Sequence, residues 1–415
     1  MRKIKLLGLL SIMILISITA CSLKKPNVLQ TSLIPSQSPT NAPTSNPQVS
    51  ATVTTSIEQE VAEQLAKMSL EAKVAQLFIT TPYGISGIEN LTVADDEIYE
   101  ALQKYPVGGL IYFADNIIDP SQTTLLTTTM QTYASEIEGV VLFNGIDEEG
   151  GRVARIANND NFTVTKYDSM ETIGNTDDTN NAYEVGATIG SYLQEYGFNL
   201  DFAPDADVIT NPDNQVIGNR SFGSDAELVS SMALACANGL LDNNIIPCFK
   251  HFPGHGATLG DTHEGFAYTN KSLDDLLSNE LLPFQSAISA QMPMIMVAHI
   301  SDEEIIGDNT PASLSSKMVT DVLRNQMGFE GLIVTDSLCM GAIKNNYTMS
   351  EAAVQALLAG NDMLMVAGNL ASMEKDDFKN AYQGVIDAVN DNVISEQLIN
   401  QAVTRILTIK YQYLT

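Results

Sequence analysis

The feature that most constrains the fold of this chain is a series of eight short apolar segments separated by amphipathic ones. Most of the apolar segments are continuous rather than alternating in polarity, which is typical of parallel strands buried on both faces. The intervening segments show the periodicity of amphipathic helices. The candidate strands are residues 76–80, 108–112, 140–144, 199–203, 245–250, 293–298, 331–335 and 362–366. The candidate helices include residues 226–241, 273–289, 315–325, 351–358 and 395–411.

Eight strands that alternate with helices predict an α/β fold, a (β/α)8 barrel that forms a single domain over residues 56–415. An open, doubly wound sheet is the alternative. No glycine-rich phosphate-binding motif follows the first candidate strand, which weakens the nucleotide-binding version of that alternative. The barrel makes a specific prediction, because the active sites of such barrels lie at the carboxyl ends of the strands.

Polar residues do follow the candidate strands at the places where a barrel would carry its chemistry. Carboxylates, histidines and a lysine stand at the ends of the third to seventh candidate strands. These residues are Asp147 to Arg152, Asp205, Asp207, Lys250, His251, His299 and Asp336. Their placement favours an active site at one end of the barrel.

The segment from residue 250 to residue 263 holds three of the four histidines of the chain. Two chemical interpretations of this segment are open. In the first, the histidines and Asp261 bind zinc, since imidazole nitrogens and carboxylate oxygens are zinc ligands. Lys250, beside His251, would oppose such a dication. In the second, Asp261 orients His263, which acts as a general acid and base near neutral pH.

Four ordered motifs resemble those of glycoside hydrolase family 3, in its β-N-acetylglucosaminidase branch. The sequence Lys-His-Phe-Pro-Gly-His-Gly at 250–256, followed by Asp-Thr-His at 261–263, is similar to the catalytic loop of that branch. The branch typically has Asp-Ser-His there, so Thr262 is a departure. The other matching segments are residues 146–155, 211–223 and 334–343, and the resemblance runs from about residue 57 to the C-terminus.

The resemblance implies a role for each matching residue. Asp336 corresponds to the nucleophile that forms a covalent glycosyl intermediate, His263 to the acid and base, and Asp261 to the partner of His263. Neither a metal nor an organic cofactor is implied. Many family members add an α/β-sandwich domain that supplies the acid, and we expect this barrel to need none. The residues implied to hold the sugar are Asp147, Arg155, Arg220, Lys250 and His251.

Asp336 must remain ionised beside the positive charge that develops on the sugar. We expect the cations of Lys250 and Arg220 to lie near it and to lower its pKa. The alternative is that Asp336 only caps the helix that follows it from Ser337 onward.

Three other residues at strand ends are interpreted from their positions. His299 closes an apolar strand, so we interpret it as a hydrogen-bonded core residue and assign it no role. Asp205 and Asp207 either orient Arg220 or Lys250, or cap a turn, and the sequence favours neither.

The first 20 residues have the pattern of an export signal. Arg2, Lys3 and Lys5 precede an apolar run at 6–18, which is shorter than the ~20 residues needed to span a bilayer. The run leads into Cys21, and this arrangement resembles a bacterial lipobox, which implies that Cys21 is lipidated. The alternative is an ordinary signal peptide followed by an incidental cysteine.

Residues 21–55 are rich in serine, threonine, proline, asparagine and glutamine, so we expect a flexible linker. We therefore expect an extracytoplasmic protein that contacts the bacterial cell membrane through its lipid anchor only. The net charge of −29 disfavours nucleic acid as a partner. We also expect a monomer. We expect Cys236, Cys248 and Cys339 to be buried free thiols, because their spacing suggests no disulfide framework.

The resemblance implies a retaining exo-β-N-acetylglucosaminidase that removes terminal N-acetylglucosamine from peptidoglycan fragments or chito-oligosaccharides. The partner would then be a carbohydrate substrate. A β-glucosidase, a β-xylosidase or a glycoside phosphorylase on the same scaffold is the enzymatic alternative, because no residue reveals a pocket for the N-acetyl group. A sugar-binding lipoprotein is the alternative without catalysis.

Overall fold

An eight-stranded parallel sheet organises the chain in its computed structural model, which describes residues 56–258, 260–263, 265 and 267–414. The predicted export signal, Cys21 and the linker lie outside the described residues. Each strand lies within, or overlaps, a segment predicted from apolar continuity. The strands are β1 Phe78–Thr80, β2 Gly109–Ile111, β3 Phe143–Ile146, β4 Leu200–Asp201, β5 Ile246–Phe252, β6 Met294–Val297, β7 Leu332–Thr335 and β8 Leu364–Val366.

The sheet closes on itself, which confirms the barrel and excludes the open doubly wound sheet. Its order is β7-β6-β5-β4-β3-β2-β1-β8, with every neighbouring pair parallel. The first and last strands pair directly, since Phe78 is in register with Leu364. A bridge between Val334 and Met363 joins β7 to β8 and completes the ring.

Helices surround the barrel, and most begin after a Ser, Thr or Asp whose side chain accepts a hydrogen bond from the first turn. A π-helix spans Lys317–Gln326. The α-helices are α1 Ile57–Lys67, α2 Leu70–Gln76, α3 Pro82–Ser86, α4 Asp96–Lys104, α5 Pro120–Glu138, α6 Met170–Gly174, α7 Thr179–Glu195, α8 Ala226–Leu241, α9 Leu273–Leu277, α10 Leu282–Ser289, α11 Glu303–Ile306, α12 Gly341–Lys344, α13 Met349–Ala359, α14 Asp377–Asn390 and α15 Glu396–Tyr413.

The loops at the carboxyl ends of the strands contain further short elements. Glu148–Gly150 pairs antiparallel with Val153–Ala154 after β3, and Ala267–Thr269 pairs parallel with Ile300–Asp302. The 3-10 helices are Ala114–Asn116, Gly218–Arg220, His255–Ala257 and Ala312–Leu314.

One predicted helix is wrong in its continuity. The segment 273–289 forms two helices, α9 and α10, rather than one. A continuous helix would place Pro283 in its interior, where the missing N–H and the ring disfavour helical backbone. The break instead places Pro283 in the first turn of α10, where no hydrogen bond from its nitrogen is needed.

The core consists of strand residues and the helix faces that pack on them. Every residue of β5 to β8 is buried. Cys236, Cys248 and Cys339 are buried and free, as predicted. None of the described helices combines the length and the apolar character that crossing a membrane requires.

Candidate active site

A cavity of about 550 Å³ opens at the carboxyl ends of the barrel strands. All residues that the sequence assigned to catalysis or sugar binding line it, except Asp261, which contacts the cavity through its partner His263. Part of the wall is apolar. The predicted residues in the wall are Asp147, Arg155, Arg220, Lys250, His251, His263 and Asp336, and the apolar part includes Phe113, Met296, Met340, Met365 and Ala367.

Glu149 joins the two cations at the floor of this cavity. Its carboxylate accepts two hydrogen bonds from Arg220, at 2.7 Å from Nη2 and 2.8 Å from Nε, and lies 2.6 Å from Lys250 Nζ. Lys250 also donates to Asp147 over 2.9 Å, and Asp147 pairs with Arg155 at 3.2 Å. These five groups therefore form one continuous ion-pair network.

The network keeps its members charged despite their burial. Burial alone would raise the pKa of Glu149, but the charges of Arg220 and Lys250 outweigh it and hold the pKa far below its ordinary value. Burial would likewise raise the pKa of Asp147, but the charges of Lys250 and Arg155 outweigh it and lower the pKa. The pKa values of Lys250 and Arg220 are raised in return, since nearby carboxylates outweigh burial.

One nitrogen of the Arg155 guanidinium makes no hydrogen bond with the described residues. Its Nε is buried and has no hydrogen-bond partner among the described residues, while its guanidinium lies 5.7 Å from the ring centre of Phe113. Both residues line the cavity. A buried donor left unpaired is costly, so this N–H is suited to an oxygen of a bound ligand.

Asp205 and Asp207, after β4, contact two residues of the cavity wall, the cation Arg220 and the imidazole of His251. Asp205 Oδ2 lies 3.4 Å from Arg220 Nε, and Asp205 Oδ1 accepts from the backbone N–H of Asp207. Asp207 Oδ2 lies 2.6 Å from His251 Nδ1, and the backbone N–H of His255 donates to Asp207 Oδ1. Both roles that the sequence left open are present, since Asp205 pairs with Arg220 through Oδ2 and caps the turn to Asp207 through Oδ1.

His251 is neutral at physiological pH. Burial and the positive charge of Arg220 lower its pKa to about 4. With its proton on Nδ1, the ring donates to Asp207 and accepts at Nε2 from Arg220 Nη2, 3.3 Å away. Burial and the charge of Asp207 raise the pKa of Asp205 to about 7.

The ligand set that the zinc interpretation assumed for the histidine-rich segment is not the set that the structure brings together. Over the described part of the chain, the one group of three side chains with ligand atoms within 4.8 Å of one another is Asp205, Asp207 and His251. It includes neither Asp261 nor His263. Within that group, Asp207 already accepts from the His251 ring, and Asp205 faces a guanidinium. Hydrogen bonds and ion pairs therefore account for the group.

Asp336 follows β7 and is fixed against β6. Its backbone N–H donates to the Val297 carbonyl over 2.8 Å, and its Oδ1 accepts from the Ser337 N–H over 2.7 Å. Burial opposes ionisation, yet the pKa of Asp336 is lowered by the imidazoles of His299, His251 and His263 and by the Ser337 N–H. The carboxylate can therefore persist in a buried site.

The expected direction of that shift is confirmed, but the expected cause is not among the largest ones. Lys250 and Arg220 are not the groups that lower the pKa of Asp336 most, because their charges are engaged by Glu149 and Asp147. The imidazoles and the adjacent amide act instead.

His299 is a buried, hydrogen-bonded residue, as its sequence position predicted. Its Nε2 donates to the Ser337 carbonyl over 2.8 Å, and its Nδ1 accepts from the Ser313 hydroxyl over 2.7 Å. Burial lowers its pKa. It thereby holds the peptide that follows Asp336, a contact that the sequence did not reveal.

Asp261 and His263 form a hydrogen-bonded pair at the cavity mouth. Asp261 Oδ1 lies 2.7 Å from His263 Nδ1 and also accepts from the His263 backbone N–H over 2.8 Å. Slight burial of Asp261 would raise its pKa, but these hydrogen bonds and the His263 charge lower it. The pairing fixes the Nδ1–H tautomer of neutral His263 and leaves Nε2 for a ligand.

The comparison with known families fits this arrangement. The model of the glycosyl hydrolase family 3 N-terminal domain matches residues 69–409. The chain belongs to glycosyl hydrolase family 3. Two curated members with similar sequences are Beta-hexosaminidase A of Pseudoalteromonas piscicida and Beta-hexosaminidase of Nitrosomonas eutropha. The first is 32% identical over 77% of this chain and 56% of its own length, and the second is 34% identical over 65% and 76%.

A solved family 3 structure is also similar. The β-N-acetylglucosaminidase from Paenibacillus sp. str. FPU-7 is 35% identical, with a TM-score of 0.77 over 83% of this chain and 63% of that chain. This family 3 chain therefore spans less than two thirds of both the Pseudoalteromonas and the Paenibacillus proteins.

Sequence reasoning missed Glu149 and His255 as parts of the site. Glu149 stood within the matching segment 146–155, but it was not separated from its neighbour Glu148. Their alternation along a short strand could have assigned them to opposite faces, without indicating which face was the cavity. His255 was grouped with the other histidines, and nothing in the sequence distinguished its buried position.

Proposed function

We propose that this family 3 chain is a retaining exo-β-N-acetylglucosaminidase. The observation that carries the proposal is the placement of an ionised, buried Asp336 and a carboxylate-paired His263 in the wall of one cavity. A nucleophile and a proton donor are the two groups that retaining hydrolysis of a glycoside needs. In this site a histidine takes the place of the usual second carboxylate.

The first chemical step transfers the sugar to the protein. An Asp336 oxygen attacks the anomeric carbon, while His263 gives a proton to the departing glycosidic oxygen and the carbon–oxygen bond breaks. The second step returns the protein to its starting state. His263 takes a proton from water, the water oxygen attacks the anomeric carbon, and the Asp336 carboxylate leaves. Two inversions at one carbon give net retention.

The ion-pair network would hold the terminal sugar by its hydroxyls. Asp147 offers acceptor oxygens, and Lys250, Arg220 and the unpaired Nε of Arg155 offer donors. Because these groups already satisfy one another, they are fixed before the sugar arrives and little ordering entropy is lost on binding. His251 would supply a further polar contact from the same wall.

The names of similar proteins support the choice of sugar. The curated relatives are called β-hexosaminidases, and the Paenibacillus structure is called a β-N-acetylglucosaminidase. Peptidoglycan fragments or chito-oligosaccharides are the proposed natural substrates. Export and lipid anchoring at Cys21 remain proposals based on the sequence, and cell fractionation of a Cys21→Ala variant tests them.

The test is a panel of nitrophenyl β-glycosides together with covalent trapping. We expect the N-acetylglucosaminide to be cleaved faster than the glucoside and xyloside, with retained anomeric configuration by NMR. A fluorosugar inactivator should label the peptide that contains Asp336, and Asp336→Ala should abolish turnover and labelling. Inversion, or labelling elsewhere, would contradict the mechanism. Acceleration by phosphate would indicate a phosphorylase, and sugar binding without turnover would indicate a binding protein.

A further inference from the structure

The residue between the two members of the pair at the cavity mouth is buried far more deeply than either of them. The side chains of Asp261 and His263 are 36% and 66% exposed, whereas Thr262 is 1% exposed. A loop that presents two polar side chains to solvent must be held in place from elsewhere. Thr262 is the residue through which this loop enters the protein interior.

The hydroxyl of Thr262 meets the buried ring of His255. Thr262 Oγ1 lies 3.3 Å from His255 Nε2, and the other ring nitrogen lies 2.9 Å from Thr258 Oγ1. The Thr258 hydroxyl donates its hydrogen to the His255 carbonyl, so it accepts from His255 Nδ1–H. His255 Nε2 is then an acceptor, and Thr262 supplies the hydrogen.

His255 is itself a fixed point. Its backbone N–H donates to Asp207, and its carbonyl accepts from Asn214 Nδ2 over 2.7 Å. The next residue, Gly256, packs so closely on the Val208 carbonyl that an added Cβ would lie 2.2 Å from that oxygen. Thr262 therefore binds to a part of the structure that cannot shift freely.

The backbone beside Thr262 contacts the segment that follows the proposed nucleophile. The Thr262 carbonyl accepts from the Ala342 N–H over 3.1 Å, and the His263 carbonyl accepts from the Gly341 N–H over 3.2 Å. Residues 341 and 342 begin α12, shortly after Asp336. These bonds set the loop against the helix that follows Asp336 in the chain.

We infer that Thr262 and His255 are positioning residues. They hold His263 at the place, relative to Asp336, from which it can protonate the leaving oxygen while Asp336 attacks the anomeric carbon. The inference rests on the proposed function, because it assumes that His263 protonates the leaving oxygen. Together the two residues are called the Thr262 anchor. A misplacement of about 1 Å in a reacting group can cost on the order of 10²-fold in rate.

The experiment compares Thr262→Val, which keeps the shape and removes the hydroxyl, with Thr262→Ser, which keeps the hydroxyl. Diacetylchitobiose needs a proton on its leaving oxygen, whereas 2,4-dinitrophenyl β-N-acetylglucosaminide does not. We expect Thr262→Val to lower kcat/KM about 10- to 100-fold for diacetylchitobiose and less than about 3-fold for the dinitrophenyl substrate. Thr262→Ser should stay within about 3-fold of wild type on both.

A matched control is Thr127→Val, because Thr127 is fully buried and its hydroxyl donates to the Tyr196 carbonyl over 2.7 Å, in another part of the fold. It should lower the unfolding temperature without separating the two substrates. An equal loss on both substrates for Thr262→Val, or no loss, would overturn the anchor. A loss for Thr262→Ser as large as that for Thr262→Val would also overturn the anchor.

A second measurement separates failure of the anchor from failure of the proposed function. Hydrogen exchange at the His263 amide should be faster in Thr262→Val than in wild type and nearly unchanged in Thr262→Ser. A wild-type protein that cleaves neither substrate would refute the proposed function. Because hydrogen exchange needs no activity, an unchanged exchange rate at the His263 amide in Thr262→Val would refute the anchor whether or not the proposed function holds.

Discussion

Glu149 offers the sharpest test of how the cavity floor is held together. Its side chain is 1% exposed and contacts Lys250 and Arg220, whose side chains are 3% and 10% exposed. Glu149→Gln preserves the size and shape of the side chain and removes only the charge. If the amide oxygen takes the place of Oε1, it can still accept from Lys250 and from Arg220 Nη2, but the amide NH2 in place of Oε2 then faces the N–H of Arg220 Nε, donor against donor.

The magnitude follows from burial. Breaking a buried ion pair by neutralising one member typically costs about 3–5 kcal/mol, because the remaining charge stays buried without full compensation. Lys250 keeps Asp147, and Arg220 keeps Asp205, whose ionisation becomes easier once the charge of Glu149 is removed, so each cation retains one carboxylate. We therefore expect the lower end of that range, about 3 kcal/mol of lost unfolding free energy.

The pH dependence has a defined sign. The pKa of Glu149 in the folded state lies below its ordinary value of 4.5. Its contribution to stability is therefore present above the ordinary pKa and is lost as pH falls through the folded-state pKa. The difference between wild type and Glu149→Gln should persist from neutral pH down to about pH 5 and shrink in stronger acid.

Urea unfolding measures the effect, with Glu374→Gln as a matched control. Glu374 also pairs with a lysine, Lys344, at 3.3 Å, but its side chain is 82% exposed, so its loss should cost no more than about 0.5 kcal/mol. If Glu149→Gln destabilises the protein no more than Glu374→Gln at pH 7, the network does not hold the cavity floor as argued.

Two further predictions concern the acid and a lysine at the opposite end of the barrel. His263→Ala should lower kcat/KM about 10²- to 10⁴-fold for diacetylchitobiose while largely sparing the dinitrophenyl substrate, and equal loss on both would refute an acid role. Lys410 is fully buried, donates to Gln76 Oε1 over 2.8 Å, and has its pKa lowered by burial to about 7. The unfolded chain therefore binds the extra proton between about pH 7 and 10.5, and wild-type stability rises with pH across that window. Lys410→Met should raise the unfolding free energy by about 2 kcal/mol at pH 7 and lose this advantage near pH 10, and equal effects at both pH values in urea unfolding would refute the argument.

The strands were predictable because burial on both faces leaves a direct mark on the sequence. A parallel barrel strand such as β7 is apolar at nearly every position, and the first charged residue after it, Asp336, marks the carboxyl end. The break between α9 and α10 was not predicted, although Pro283 lies at the start of α10. The apolar periodicity of residues 273–289 favoured one continuous helix, but a proline, which has no N–H, disfavours a helix interior.

The contacts within the site were less predictable, because they depend on which charged groups pair first. Lys250 and Arg220 were expected beside Asp336, yet Glu149 and Asp147 engage both cations. A cation that is already paired contributes little net charge to a more distant carboxylate. Sequence spacing places such residues at the same end of a barrel but does not rank the distances among them.

Asp207 contacts both parts of the proposed site, so the proposed sugar binding and proton transfer should not behave as independent functions. One of its oxygens accepts from His251 in the cavity wall, and the other accepts from the backbone of His255. His255 in turn meets Thr262, next to His263. A substitution of Asp207 would therefore disturb both His251 and the Thr262 anchor. Its effect on kcat/KM could not be divided into a part from sugar binding and a part from proton transfer. Changes at Glu149 and Thr262, which each touch one end, can separate the two contributions.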